Sequence, residues 1–276
     1  PPSLPLILYG LVAQVSIDKL FIAGIVPGLV MIFIIASYAI LRGKKIRTLP
    51  NKPEFSDAPK ALREAIWEIP LPLIVLVGIY SGFFTVTEAA SVTVVYVIFV
   101  ESFIYKDLSL TKDIPILMRD SIILVGSILI ILGTAMGFTS YLIDEQIPMA
   151  LLETMRQYID DPLTFLIALN IFLLLVGCMM DIFSAIIVVV PLIIPIAKSF
   201  DINMVHLGII FLTNLEIGYS TPPVGINLFI AGTRFGKPVL ALYKAVLPFL
   251  GLRLVGLLLI TYVPALSLFL VDWISN

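Results

Sequence analysis

Asp181 is the only charged residue among the positions between Asp161 and Lys198. A carboxylate at that depth in an apolar run costs about 2.5–3.5 kcal/mol on insertion scales, so it lines a cavity, pairs, or caps a helix. Two roles are open to it: ligand for a cation beside frayed backbone carbonyls, or N-terminal cap of the helix that follows. The stretch Gly218-Tyr219-Ser220-Thr221-Pro222-Pro223-Val224-Gly225 is the second chemical feature. Its prolines cannot continue a helix, because they lack the amide donor and their rings clash with the preceding turn. Such a break frees carbonyls that suit Na⁺ and amides that suit a carboxylate, unless it is only a kink. Pro1-Pro2-Ser3 is a similar break, where Ser3 offers a hydroxyl. Asn214 and Asn227 flank the second break, and Glu216 beside it is either a buried partner or a residue facing an aqueous cavity. Thr87 with Glu88 reads as a helix start, a hydroxyl cap followed by a first-turn acid. The lone His206 and lone Cys178 make a transition-metal site an unattractive reading.

These residues sit in a chain of 276 residues, 60% hydrophobic and 13% charged, with a mean hydropathy of +1.10. Soluble domains run at about 45–50% apolar and about 25% charged, and a globule of this length cannot hide so much apolar surface. Seventeen basic against nineteen acidic residues exclude a nucleic-acid binder, and one cysteine excludes a disulfide scaffold. The expected class is all-α: a polytopic helical membrane protein, whose backbone pairs its own hydrogen bonds in lipid.

Uncharged runs of 22 residues (20–41), 23 residues (121–143) and 18 residues (254–271) predict spans, the last starting near Pro238. Residues from Ile69 to Phe103 predict two short helices meeting at Gly82 to Glu88. Pro162 to about Met179 and Ile182 to about Ala197 predict a re-entrant hairpin with Asp181 at its tip. Residues from Arg42 to Glu64 hold seven basic and three acidic residues, and this arm is expected on the cytoplasmic side. Residues from Asp144 to Asp161 hold five acids and Arg156, and are expected outside; Ala150 to Tyr158 reads as an interfacial helix.

Pro1-Pro2 aligns with Pro222-Pro223 at an offset of 221, and Pro27 with Pro248. Each pair of prolines precedes a short helix, a turn and a long span. The loop charges orient the two copies oppositely, which is the inverted-repeat, broken-helix architecture of secondary transporters. The chain opens without an initiator methionine and its first repeat begins at the break, so about half of that repeat is expected upstream.

Pro1-Pro2-Ser3 with Tyr9-Gly10, Phe21 to Gly28, Gly82 to Ala90, Gly177 to Asp181, and Gly218 to Gly225 with Asn227 resemble the large membrane (M) subunit of tripartite ATP-independent periplasmic (TRAP) transporters. The resemblance runs through nearly the whole chain in the family's order. It implies sodium-driven uptake of a small organic anion (a C4-dicarboxylate, sialic acid or a keto acid) across the bacterial inner membrane by an elevator mechanism. Its implied partners are a small membrane (Q) subunit, a periplasmic substrate-binding (P) protein and membrane lipid. Together with the breaks, it makes Ser3, Gly177, Asp181, Gly218, Thr221 and Pro222 the expected sodium ligands. Pro2, Ser3, Pro223, Gly225 and Asn227 are the expected substrate contacts. The transport domain would comprise residues 1–19, the hairpin 161–200 and the broken helix 201–237. The scaffold would comprise 20–69, with its cytoplasmic arm, and the final span 238–276. Residues 70–119 form the broken pair, and 120–160 a span with the external helix.

Two other classes compete. An intramembrane hydrolase would need a second acid or a serine with a base in reach, and Asp181 with Glu216 is the pair on offer. A non-transporting scaffold or assembly subunit would need neither; loss of uptake on changing Thr221 or Asp181, with assembly intact, separates it from a transporter.

Overall fold

The structure, a computed structural model, describes residues 3–43, 59, 62–63, 65–146, 150, 153–154, 159, 161–222 and 225–275. Among them the regular elements are helices, and five stretches are long and apolar enough to cross a membrane: Ile17–Gly43, Thr87–Tyr105, Pro162–Met179, Ile182–Ser199 and Leu240–Tyr262. The chain is an all-α polytopic membrane protein. Most of the basic arm, and most of the expected external helix, lie outside the described residues.

The helices form two compact units. In the first, α4 (Pro70–Tyr80) and α5 (Val86–Phe99, continued by a π-helical turn Val100–Tyr105) meet at Gly82, whose φ of +74° only glycine adopts freely. Phe84 folds back onto a small core of Val75, Ile79 and Ala89. The cap of α5 is Thr85, two residues before the expected Thr87. Thr85 Oγ1 accepts from the Glu88 amide (3.3 Å), while Glu88 Oε2 accepts from the Thr85 amide (2.8 Å). Thr85-x-x-Glu88 has the spacing of a capping box, whereas Thr87 already lies in the first turn. The 32-residue α6 (Asp113–Asp144) passes from the first unit into the second.

The second unit holds the remaining helices. α1 (Leu4–Ala13), α2 (Ile17–Ala23) and α3 (Ile25–Gly43) come from the N-terminal part. α7 (Pro162–Met179) and α8 (Ile182–Ser199) form the hairpin. α9 (Met204–Gly218) and α10 (Ile226–Phe235) flank the second break; α11 (Val239–Tyr262) and α12 (Ala265–Ser275) end the unit. Polar caps set the starts. Asp161 holds α7 by accepting from the Thr164 hydroxyl (2.6 Å) and amide (2.9 Å), which keeps its carboxyl below the usual carboxylate range. Asn203 accepts from the Val205 amide (2.8 Å) at the start of α9. The run 254–271 is not one span: the helix ends at Tyr262 and resumes at Ala265, because Pro264 has no amide to give.

The repeat is visible in the backbone, one residue out of the register read from the prolines. α1 and α10 each have ten residues, starting at Leu4 and Ile226. Each ends on a left-handed residue, Gln14 (φ 55°) and Gly236 (φ 60°). The next amide then returns to the helix: Val15 N–H to Gly10 O (2.9 Å), Lys237 N–H to Gly232 O (3.1 Å). The following helices start at Ile17 and Val239. All these equivalences share an offset of 222, because Gly225 adds a residue before α10. Ten helical residues span about 15 Å, half a hydrocarbon core of about 30 Å.

α9 is the centre of the unit. Tyr9, fully buried, donates from its hydroxyl to Met204 O (2.8 Å), and its ring lies where a side chain at Gly208 would be. Asn214 Nδ2 donates to Asn170 Oδ1 (2.7 Å), and Asn170 Nδ2 to Thr261 Oγ1 (3.2 Å). His206 Nε2 lies 3.2 Å from Thr261 O. These four buried residues tie α7, α9 and α11 together, the kind of bond that associates helices where hydrophobicity cannot. Asn214→Leu removes the central member. It should lower stability in detergent by about 0.6–1.7 kcal/mol; an unchanged unfolding midpoint contradicts the network's role.

Candidate functional site

The last turns of α7 and α9 touch through their glycines. A Cβ on Gly218 would lie 2.5 Å from the Gly177 carbonyl carbon and 2.6 Å from its Cα. A Cβ on Gly177 would lie 3.0 Å from Leu215 Cα. Backbone meets backbone, so neither position has room for a side chain. The consequence is electrostatic. Each helix ends in carbonyls without intrahelical partners and carries about half a negative charge there. Two such ends held side by side attract a cation.

Asp181 adds a carboxylate two residues beyond α7. It caps α8: Oδ1 accepts from the Phe183 and Ser184 amides (3.0 Å each), and Oδ2 accepts from the Ser184 hydroxyl. The side chain is exposed and retains acceptor capacity, so the capping role and a cation-ligand role are both compatible with its geometry. Tyr219 lies beside the Ile182 amide and close to Asp181 and Glu216, so the hairpin tip adjoins the helix break.

Beyond Gly218 the chain tightens before it breaks. Ser220 N–H donates to Ile217 O (3.0 Å) and Thr221 N–H to Gly218 O (2.9 Å). The Thr221 hydroxyl donates to Ile217 O (2.8 Å), so its oxygen can still accept or coordinate. Gly225 is buried at φ 55°, and a Cβ there would lie 3.0 Å from Thr221 O. The Asn227 amide reaches back across the break to Tyr219 O (3.2 Å), while its side chain is exposed. α10 therefore begins with its amide end, the positive end of its dipole, beside the break.

A cavity of about 370 Å³ lies next to this junction. Ser3 lines it from the first break, Ile182 from the hairpin tip, Thr213, Glu216 and Ile217 from the end of α9, and Arg253 from α11. Ser3 starts α1 without its hydroxyl capping the helix amides, so that hydroxyl is uncommitted to the cap. Ser3 shares the cavity with the end of α9 while Tyr9 reaches its start, so α1 runs antiparallel to α9.

Of the expected ligands, Gly177 and Gly218 are in contact, Asp181 adjoins them, Thr221 meets Gly225, and Ser3 faces the cavity. Pro222 is exposed. Pro2 and Pro223 lie outside the described residues. Thr213 and Arg253 are cavity residues that sequence reasoning passed over. Arg253 served only as the border of an uncharged run. Bounding the helix by Pro238 and Pro264 would have put this arginine well inside a span.

The sequence matches the family described as "Tripartite ATP-independent periplasmic transporter, DctM component" over residues 1–266. It is 40% identical to the C4-dicarboxylate TRAP transporter large permease protein DctM of Pseudomonas aeruginosa over 277 residues, covering 100% of this chain and 64% of that protein. It is 34% identical to the sialic acid TRAP transporter large permease protein SiaM of Vibrio cholerae, covering 98% of this chain and 63% of that one. The isethionate TRAP transporter permease protein DctMQ of Oleidesulfovibrio alaskensis is 35% identical, with 98% of this chain covering 42% of it. The chain thus spans less than two thirds of the length of these relatives, all named as transporter permeases rather than enzymes.

The glycine contact generates a direct test. Gly218→Ala should cost about 1–3 kcal/mol of stability by overpacking, read as a lowered unfolding midpoint in detergent. Gly251→Ala, where a Cβ meets nothing within 4 Å, should leave the midpoint in place. Equal tolerance of both would mean that α7 and α9 do not touch.

Proposed function

The chain belongs to the DctM component family of tripartite ATP-independent periplasmic transporters, and from that premise we propose that it works in sodium-coupled, binding-protein-dependent uptake of a small organic anion. The observation that carries this reading is the convergence of Ser3, the hairpin tip at Ile182 and the end of α9 on one cavity. Relatives are named for C4-dicarboxylates, sialic acid and isethionate, which are all small organic anions; a keto acid belongs to the same class.

In the proposed mechanism Na⁺ is a co-transported substrate. The paired carbonyl ends of α7 and α9, the Thr221 hydroxyl and Asp181 supply hard oxygen donors, and Ser3 with its break supplies the repeat-related site. Before the cation binds, those carbonyl ends and the Asp181 carboxylate repel an incoming anion. With the cation in place the field reverses, and the amide end of α10 together with Ser3 can hold a carboxylate. Coupling follows from that order: the anion binds well only to the sodium-loaded loops.

The loaded body, which includes residues 1–19, 161–200 and 201–237, then moves across the bilayer against a scaffold. The common offset of 222 in two half-membrane helices supports the inverted-repeat reading behind this elevator motion. A small membrane (Q) subunit and a periplasmic (P) protein would serve as partners in the bacterial inner membrane. The fused DctMQ name of one relative fits such a pairing.

The test uses the permease containing this chain, with its partner proteins, in proteoliposomes. Replacing external Na⁺ by choline should abolish uptake. Thr221→Ala should lower uptake at least tenfold while assembly with the small subunit is unchanged, and Asp181→Asn should raise the Na⁺ concentration for half-maximal uptake. Undiminished uptake in choline would overturn the sodium coupling; assembly without uptake in the unmodified protein would favour a scaffold.

A further inference from the structure

Arg253 lies within the span Leu240–Tyr262, well away from both of its ends. A guanidinium inside the membrane is costly unless it pairs or lines a cavity, and it stays charged there. Here it is half-buried in the cavity wall, one turn from Gly256, whose position is packed against Met31 of α3. Its Nη1 donates to Ser220 Oγ at 3.2 Å, a neutral hydroxyl in the break. Glu216 lines the same cavity, yet among the described residues no hydrogen bond or ion pair joins it to Arg253. The fork has five N–H donors, and one hydroxyl engages one of them.

We infer that Arg253 is the anion-recognition residue of this cavity, holding the carboxylate end of the transported solute through its free donors while Ser220 fixes the orientation of the fork. The inference rests on the transport reading and adds to it a residue outside the breaks. Three features fit that role. The volume of about 370 Å³ falls in the range of sites for small solutes, about 300–1,000 Å³. The guanidinium matches a carboxylate in bidentate geometry, which a lysine does not reproduce. Apart from Ser3, Thr213 and Glu216 the walls are apolar (Pro27, Met31, Ile209 and Ile260 among them), so the charge-assisted bonds form in a medium poorer in water than the bulk. Glu216 on the same cavity opposes entry of a second anionic group close to it, so the site favours one carboxylate end at a time. A phospholipid phosphate presents the same chemistry to an arginine, and the experiment separates the two sources.

The permease is reconstituted in phosphatidylcholine vesicles and treated with phenylglyoxal, which modifies accessible arginines; modification at Arg253 is read by peptide mass spectrometry. Sodium succinate or sodium N-acetylneuraminate should protect Arg253 at least fivefold over sodium chloride. Protection by phosphatidylglycerol in the vesicles, with no solute added, would overturn the proposal in favour of a lipid site. Absence of protection by either solute, or an Arg253 that never reacts, overturns it as well. In uptake assays Arg253→Gln should raise the apparent KM for the anion at least tenfold, with partial rescue in Arg253→Lys and an unchanged half-saturating Na⁺ concentration. A shift in the Na⁺ requirement with the anion KM unmoved would make Arg253 a structural support of the break. Failure of the transport reading is seen separately, as uptake by the unmodified protein that ignores Na⁺.

Discussion

A helix interrupted inside a bilayer leaves carbonyls and amides that lipid cannot satisfy, and the second unit of this protein is organised around that constraint. Its solution is to bury the interruption against protein. Gly177 and Gly218 bring the last turns of α7 and α9 into backbone contact, and the Asn227 amide returns to Tyr219 O across the gap. The polar groups around the break are not scattered. Two carbonyl ends and one carboxylate collect on one side of the break, and the amide end of α10 begins on the other. An ordinary requirement of membrane folding thereby produces a polar site.

Everything that holds α9 in place therefore holds the site. Tyr9 fixes α1 to its start, and the Asn170–Asn214–Thr261–His206 cluster fixes α7 and α11 along its length. Interhelical hydrogen bonds in lipid are individually modest. Several acting on one helix, with glycine contacts at Gly208 and Gly218, confine where the break can sit. The same ten-residue helix with a left-handed terminus appears at α1 and α10, so the chain uses one local device twice.

Much of this was legible from local chemistry. Pro222 and Pro223 between glycines announce a broken helix whatever surrounds them, and Asp181 announces a helix start. Readings that required choosing among neighbours slipped by small amounts. The repeat was aligned on prolines at 221, but helix starts obey 222, because the left-handed Gly225 inserts a residue. Thr87 looked like a cap, but Thr85 has the reciprocal spacing with Glu88. Pro264 splits a run whose lack of charge suggested a single span, since charge reports on lipid and says nothing of amide donors. The place of Arg253 on the cavity wall and the Gly177–Gly218 contact were out of reach for another reason. Which face of α11 meets a cavity, and which glycines meet across helices, are tertiary facts without a short-range signature.

The central claim is that the hairpin tip and the helix break form one cation-binding junction. The most direct measurement is a cryo-electron-microscopy map of the complete permease in lipid nanodiscs, once in sodium and once in choline. The account predicts density for an ion between the end of α7, the end of α9 and Thr221 in the sodium map, absent in choline. A map in which residues 218–225 run as continuous helix against lipid, with no such density in sodium, would contradict it.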